Sequence, residues 1–96
     1  MEIVNAVHVN DKDSCVVVVK EVEKAQTVSY FNGSKEVESV IARQDIPVYH
    51  KIAVCDIMQG NPVIKYGEPI GYATQDIHVG DHVHIHNVKP VGALRK

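Results

Sequence analysis

The sequence predicts an all-β domain of short strands and tight turns with little helix. Three observations carry this expectation. The apolar residues are β-branched, with 18 Val and 9 Ile against one Leu (Leu94), one Phe and no Trp. Two heavy atoms on Cβ stiffen χ1 and suit a pleated surface, whereas helical cores draw on Leu, Met and Ala. The C-terminal half is a string of short β-branched runs separated by corners rich in Asp, Gly and Pro. The length, 96 residues, makes a single domain spanning 1–96. A chain of this size buries only about two-thirds of the surface its unfolded form exposes, which leaves little stability for a deep catalytic cleft of its own. A module that works with a partner is expected.

Taken in order, Met1 to Asn5 carries neither the positive start nor the apolar core of a secretory signal. No apolar run approaches the roughly 20 residues needed to span a bilayer, so a cytoplasmic protein with no membrane contact is expected. The run Cys15 to Lys20, CVVVVK, follows the polar turn Asn10 to Ser14 and suits a strand buried on both faces. Glu21 to Ala25 reads as a helical turn too short to matter. Thr27 to Phe31 and Glu36 to Ile41 flank Asn32-Gly33, a hairpin signal because both turn positions tolerate a positive φ. Lys65-Tyr66 reads as a strand end with a solvated Lys and a packed Tyr, followed by the turn through Gly67-Glu68-Pro69. Gly92 to Lys96 reads as a frayed tail.

An internal repeat organises the second half. Asp45-Ile46-Pro47-Val48-Tyr49, Asp56-Ile57-Met58-Gln59-Gly60 and Asp76-Ile77-His78-Val79-Gly80 share one pattern. It implies a tight corner whose Asp hydrogen-bonds its own backbone, whose Ile enters the core, and whose fifth position favours Gly for a left-handed backbone. Tyr49 is the exception at that fifth position.

Ten Lys plus Arg against twelve Asp plus Glu are scattered along the chain. No basic face for nucleic acid is visible. Cys15 and Cys55 show no CxxC or CxxH spacing and read as reduced thiols packed as small hydrophobes. GxSxG, HExxH and phosphate-cradling glycine motifs are absent, so the chain has no complete catalytic constellation of its own.

The one dense cluster is His82-Val83-His84-Ile85-His86-Asn87. In an extended strand the three imidazoles share one face, with outer Cα atoms about 13 Å apart. Metal–nitrogen bonds of about 2.0–2.1 Å then allow a neighbouring pair to share an ion but not all three. One neighbouring pair is the expected ligand set, completed by a partner chain or substrate, with the third imidazole left for proton transfer or orientation. An exposed row of His is otherwise simply solvated surface.

Asp45-Ile46-Pro47 with His50-Lys51, Pro62-Val63-Ile64-Lys65-Tyr66-Gly67, Ile70-Gly71-Tyr72-Ala73-Thr74 and His82-Val83-His84-Ile85-His86-Asn87 together closely resemble the small N-terminal region of the altronate and galactarate dehydratase family. That region belongs to the SAF group, whose β-clip fold also includes type III antifreeze proteins. The strong motifs cover about half the chain. The resemblance implies a small subunit, inactive alone, paired with a large catalytic dehydratase subunit; the isolated chain could also form a homo-oligomer. It implies metal-dependent lyase chemistry on a small sugar-acid or hydroxy-acid substrate such as altronate, with Fe2+ as the expected ion and Mn2+ or Zn2+ as alternatives. Similar small subunits occur in sulfolactate sulfo-lyase, which expels sulfite instead of water. Matched to the family's motifs, His50, Lys51, His86 and Asn87 are the expected catalytic residues and His82 and His84 the metal ligands. His50 would approach the His row if the first and third repeat corners are adjacent. A non-catalytic β-clip module that binds a protein or saccharide is the alternative reading.

Overall fold

A computed structural model describes residues 4–90; the Met1–Ile3 start and the Gly92–Lys96 tail considered above lie outside them. Among the described residues nine strands run in chain order: β1 Ala6–Val7, β2 Cys15–Val18, β3 Thr27–Phe31, β4 Val37–Ile41, β5 Lys51–Ala53, β6 Pro62–Lys65, β7 Glu68–Ala73, β8 His82–Val83 and β9 Val88–Pro90. They form three antiparallel sheets, ordered β1-β2-β5-β8, β3-β4 and β6-β7-β9. The all-β expectation holds, and no helix occurs among the described residues.

The central sheet is buried on both faces, which explains why CVVVVK lacks polar alternation. Val16 and Val18 of β2 and Ile52 of β5 enter one core cluster with Ala6, Val28 and Tyr30. Cys15, Ala53 and Val83, projecting the other way, enter a second with Val63 and Ala73. Each fully buried Val or Ile contributes about 1.5–3 kcal/mol of transfer free energy.

The corners bind these layers together, and there are four of them rather than three. Glu21-Val22-Glu23-Lys24-Ala25 is not a helical turn but a further copy of the repeat. Ala25, Tyr49, Gly60 and Gly80 all occupy the left-handed region, with φ of 78°, 67°, 88° and 92°. The corners associate in pairs: Val22 bridges Ile46, and Ile57 bridges Ile77. Val22 and Ile46 plug the first core, Ile57 and Ile77 the second. The corner Asp does not bind its own backbone but caps its partner. Asp76 accepts from the Gln59 N–H, Asp56 from the Val79 N–H and Asp45 from the Lys24 N–H, at 2.8, 2.9 and 2.8 Å. The two halves of the domain are thus built on the same paired device.

Gly60 and Gly80 share a backbone conformation but not surroundings. A Cβ on Gly60 would meet nothing within 4 Å, whereas one on Gly80 would lie 2.2 Å from the Ile41 carbonyl oxygen. Gly60→Ala should therefore cost only the left-handed penalty, about 1 kcal/mol. Gly80→Ala must also push backbone apart and should cost about 3 kcal/mol or more. Thermal melts should show Tm falling by about 4–8 °C for the first and at least twice that for the second.

Three local expectations are corrected. The β3–β4 hairpin closes through Asn32 to Glu36, with the left-handed residue at Lys35 rather than within Asn32-Gly33. The Asn32 side chain organises it, accepting from the Ser34 and Glu36 N–H groups. Lys65 is the buried member of its pair, at 1% exposure, while Tyr66 is exposed. Lys65 turns inward because Asp13 is there, with Nζ 3.5 Å from Oδ2. Cys15 is packed as expected, whereas Cys55 is exposed; both are free thiols. Burial pushes the Cys15 thiol up to about 11 and also raises that of Cys55, so neither resembles an activated thiolate.

Candidate metal centre

The His row does not stay extended. β8 ends at Val83, and residues 84–87 fold into a turn. Asn87, buried beneath it, holds the turn by both ends of its amide. Its Nδ2 donates to the His82 carbonyl at 2.8 Å, and its Oδ1 accepts from the His84 N–H at 3.0 Å. The Asn87 N–H closes the turn on the His84 carbonyl at 3.1 Å. Curling the row shortens the reach between imidazoles, with ring centroids 5.6 Å apart for His82–His84 and 5.3 Å for His82–His86.

His50 joins them. The strands that leave the corners at 45–49 and 76–80 are β5 and β8, and they pair with Lys51 opposite Val83 and Ile52 opposite His82. That register carries His50 beside the curled row, with its ring stacked on His84 at 4.4 Å and 5.1 Å from that of His82. His50 Nδ1 and His82 Nε2 lie 2.9 Å apart, close enough to share one proton. One ligand nitrogen from each of His50, His82 and His84 falls within 4.8 Å of the others. Nitrogens on a tetrahedral ion sit about 3.3 Å apart for bonds of 2.0–2.1 Å, so small ring movements bring the three to one ion. The three-imidazole donor set suits Zn, Fe, Cu and Ni and leaves further coordination positions for a substrate. A straight strand would bring only a neighbouring pair within reach of one ion; the turn and His50 bring three imidazoles together.

The electrostatics favour ligands over cations. Burial, then the neighbouring His50, His86 and His84, hold His82 down to about 4. Burial, His50, Lys51 and His86 likewise lower His84. Near neutral pH these rings keep free lone pairs, which ion binding requires.

Two residues that spacing did not reveal position His82. Its N–H donates to Gln44 Oε1 at 2.8 Å, and Gln44 Nε2 donates to Asp81 Oδ1 at 3.2 Å. Asp81 also holds Arg43, with Nε 3.6 Å away, and accepts from the His78 N–H. No motif in the sequence marks Gln44, because its role depends on β4 and its following loop meeting the fourth corner. His86 lines a polar cleft of about 290 Å³ with Gln44, Gln75 and Asp81. Lys51 faces a different, mainly apolar recess beside His84. His78 stays on its corner, 3.8 Å from Asp56.

Fold and site together define a small all-β module that presents a cluster of imidazoles on one face. The altronate/galactarate dehydratase SAF domain matches residues 4–90, and the chain belongs to that family. It is 34% identical over 83 residues to altronate dehydratase of Bacillus subtilis and 43% identical over 77 residues to that of Escherichia coli. Those matches cover 86% and 80% of this chain but only 16% and 14% of the relatives, so the chain spans about one sixth of their length. It is also 39% identical over 90 residues to the (2R)-sulfolactate sulfo-lyase subunit alpha of Chromohalobacter salexigens, covering 93% of this chain and 96% of that subunit.

Proposed function

We propose that this chain is the SAF component of a metal-dependent lyase that removes a β-substituent from a small hydroxy acid, and that it acts only with a larger catalytic polypeptide. The convergence of His50, His82 and His84 nitrogens within 4.8 Å carries this reading. These three would hold the divalent ion, with Fe2+ expected and Mn2+ or Zn2+ as alternatives, and Asn87 and Gln44 would fix their orientation. When bound, such an ion stabilises the negative charge that develops as a proton leaves the carbon beside a carboxylate. The Lys51 ammonium beside His84 would attract the substrate carboxylate. His86, exposed at the polar cleft, would deliver a proton to a departing hydroxide. Asn87, with both amide ends engaged by backbone, contributes by positioning.

Altronate-type sugar acids, losing water, are the first substrate class. The end-to-end match to the sulfolactate sulfo-lyase subunit alpha favours a second, in which sulfite leaves and needs no proton donor. The test is to assay the chain together with its catalytic polypeptide after chelation and after reloading with single ions, following keto-acid formation from altronate and sulfite release from sulfolactate. Chelation should reduce turnover to below about 1%, and one ion should restore it. Turnover indifferent to chelation would remove the metal-dependent reading and favour the non-catalytic binding module.

A further inference from the structure

We infer that the polar cleft beside the imidazole cluster reads the hydroxylated tail of the substrate, with Gln75 as the residue that sets this specificity. The inference rests on the lyase reading and adds to it the part of the substrate that is recognised and the side chain that recognises it. The cleft, of about 290 Å³, is lined by Gln44, Gln75, Asp81, His82, His86 and Asn87. It shares no residue with the recess that holds Lys51 and His84. The cluster therefore borders two unlike spaces, one mainly apolar with a cation at its side and one wholly polar. A hydroxy acid that reacts at the cluster with its carboxylate drawn to Lys51 has the polar space left for its remaining carbons.

The internal repeat builds this cleft. Gln44-Asp45-Ile46 and Gln75-Asp76-Ile77 are the same tripeptide. One opens the corner at 45–49 and the other the corner at 76–80, yet both glutamines line the one cleft. Their amides are used differently. Gln44 Oε1 accepts from the His82 N–H and Gln44 Nε2 donates to Asp81 Oδ1, so that amide is engaged within the domain. Asn87 is engaged in the same way, by the His82 carbonyl and the His84 N–H. The exposed Gln75 side chain makes no hydrogen bond to the described residues. Its backbone is nevertheless anchored, because the preceding Thr74 N–H donates to the Asn87 carbonyl at 2.9 Å. The residue that curls the His row thus also fixes Gln75 beside it. An unengaged amide so placed offers two donors and an acceptor to a ligand.

The lining selects the chemistry of that ligand. No Lys or Arg lines the cleft among the described residues. Its one carboxylate, Asp81, already faces Arg43, with Nε 3.6 Å from Oδ1. A sulfonate or second carboxylate would meet the Asp81 charge with no ammonium or guanidinium in the cleft to offset it. A hydroxyl, at once donor and acceptor, matches an amide that is both. The volume lies at the lower edge of small-ligand sites, which suits a few hydroxylated carbons. The cleft therefore favours a hydroxy acid that keeps hydroxyl groups beyond the carbon losing its substituent over a three-carbon acid that ends there.

Altronate and glycerate of matching α-carbon configuration are the probes; glycerate keeps the carboxylate and both the α- and β-hydroxyls but lacks the tail. Each is titrated calorimetrically into the chelated complex of this chain with its catalytic polypeptide, and initial rates are then taken on the reloaded complex. Gln75→Met keeps the length of the side chain and removes its hydrogen bonding. It should weaken altronate binding by about 10-fold and raise KM by a similar factor, with kcat within about twofold, because the contact is made equally before and during the reaction. Glycerate affinity should stay within about twofold and Tm within about 3 °C, since the Gln75 side chain holds nothing in the fold. Parental altronate affinity in Gln75→Met would overturn the inference, as would equal losses for the two acids. So would a parent complex that binds altronate no more tightly than glycerate. A complex whose altronate binding depends on Gln75 but which eliminates nothing would leave the cleft standing and sink the lyase reading; elimination from altronate at parental KM and affinity in Gln75→Met would do the reverse.

Discussion

His84→Ala should lower turnover of the assembled lyase by about 10²–10³-fold while leaving the domain folded, the size of effect seen when one element of transition-state charge stabilisation is lost. The fold should survive because His84 is exposed and its structural contact is made by its backbone N–H, which donates to Asn87 Oδ1 and is present in Ala as well. What disappears is a ring stacked at 4.4 Å on His50 and one of the three converging nitrogens. His82→Ala removes a half-buried ring that also touches His50 and His86, so it mixes stability with function. His84 separates the two more cleanly. Metal content per chain, Tm and turnover should be measured on one preparation. Reduced metal content with an unchanged Tm is expected; full turnover in His84→Ala would refute the assignment of this ring to the site.

Much of this was legible in the sequence, and the misses have two causes. The repeat was readable where Asp-Ile and a terminal Gly survive, at 56–60 and 76–80, and at 45–49 despite Tyr49. It was unreadable at 21–25, where Glu, Val and Ala replace the three signature residues while the backbone keeps the same left-handed corner. Backbone geometry tolerates more substitutions than a motif does. The curl after Val83 was hidden because period-two spacing looks the same in a strand as in a strand followed by a turn. Only Asn87, bonded to the His82 carbonyl and the His84 N–H, reveals the difference. Gln44 and the inward Lys65 were hidden for another reason. Their roles depend on partners 38 and 52 positions away in the chain, His82 and Asp13, and such pairings are a property of topology rather than of local pattern.

Asp13→Asn should be among the most destabilising single changes in the domain, at about 3–5 kcal/mol, because it removes one partner of a buried ion pair and leaves the other charged. The side chains of Lys65 and Asp13 are 1% and 0% exposed, and Nζ has no hydrogen-bond partner within the described residues. Its remaining favourable contact is the Tyr66 ring, 3.9 Å from Nζ to centroid. Asn keeps the acceptor that Asp13 Oδ1 offers to the Gly67 N–H at 2.8 Å, so the loss isolates the charge. Adding Lys65→Met removes the orphaned cation, and the double variant should recover at least about 2 kcal/mol, a coupling expected of residues in direct contact. The acid side gives a second signature. Burial alone would push the Asp13 carboxyl up, but the backbone N–H groups of Gly67 and Tyr66, the Lys65 ammonium and Asn10 outweigh it and hold the carboxyl below its ordinary value of 3.8. Its folded pKa is depressed, so its contribution is complete above about pH 4 and is lost as pH falls through the lower, folded value. The double variant should therefore lose less stability than the parent between about pH 4 and pH 2. Urea unfolding at pH 7 and across that acid range would decide the matter. A double variant no more stable than Asp13→Asn, with an acid slope equal to the parent's, would show that the pair is not what ties the 10–14 turn to the β6–β7 turn.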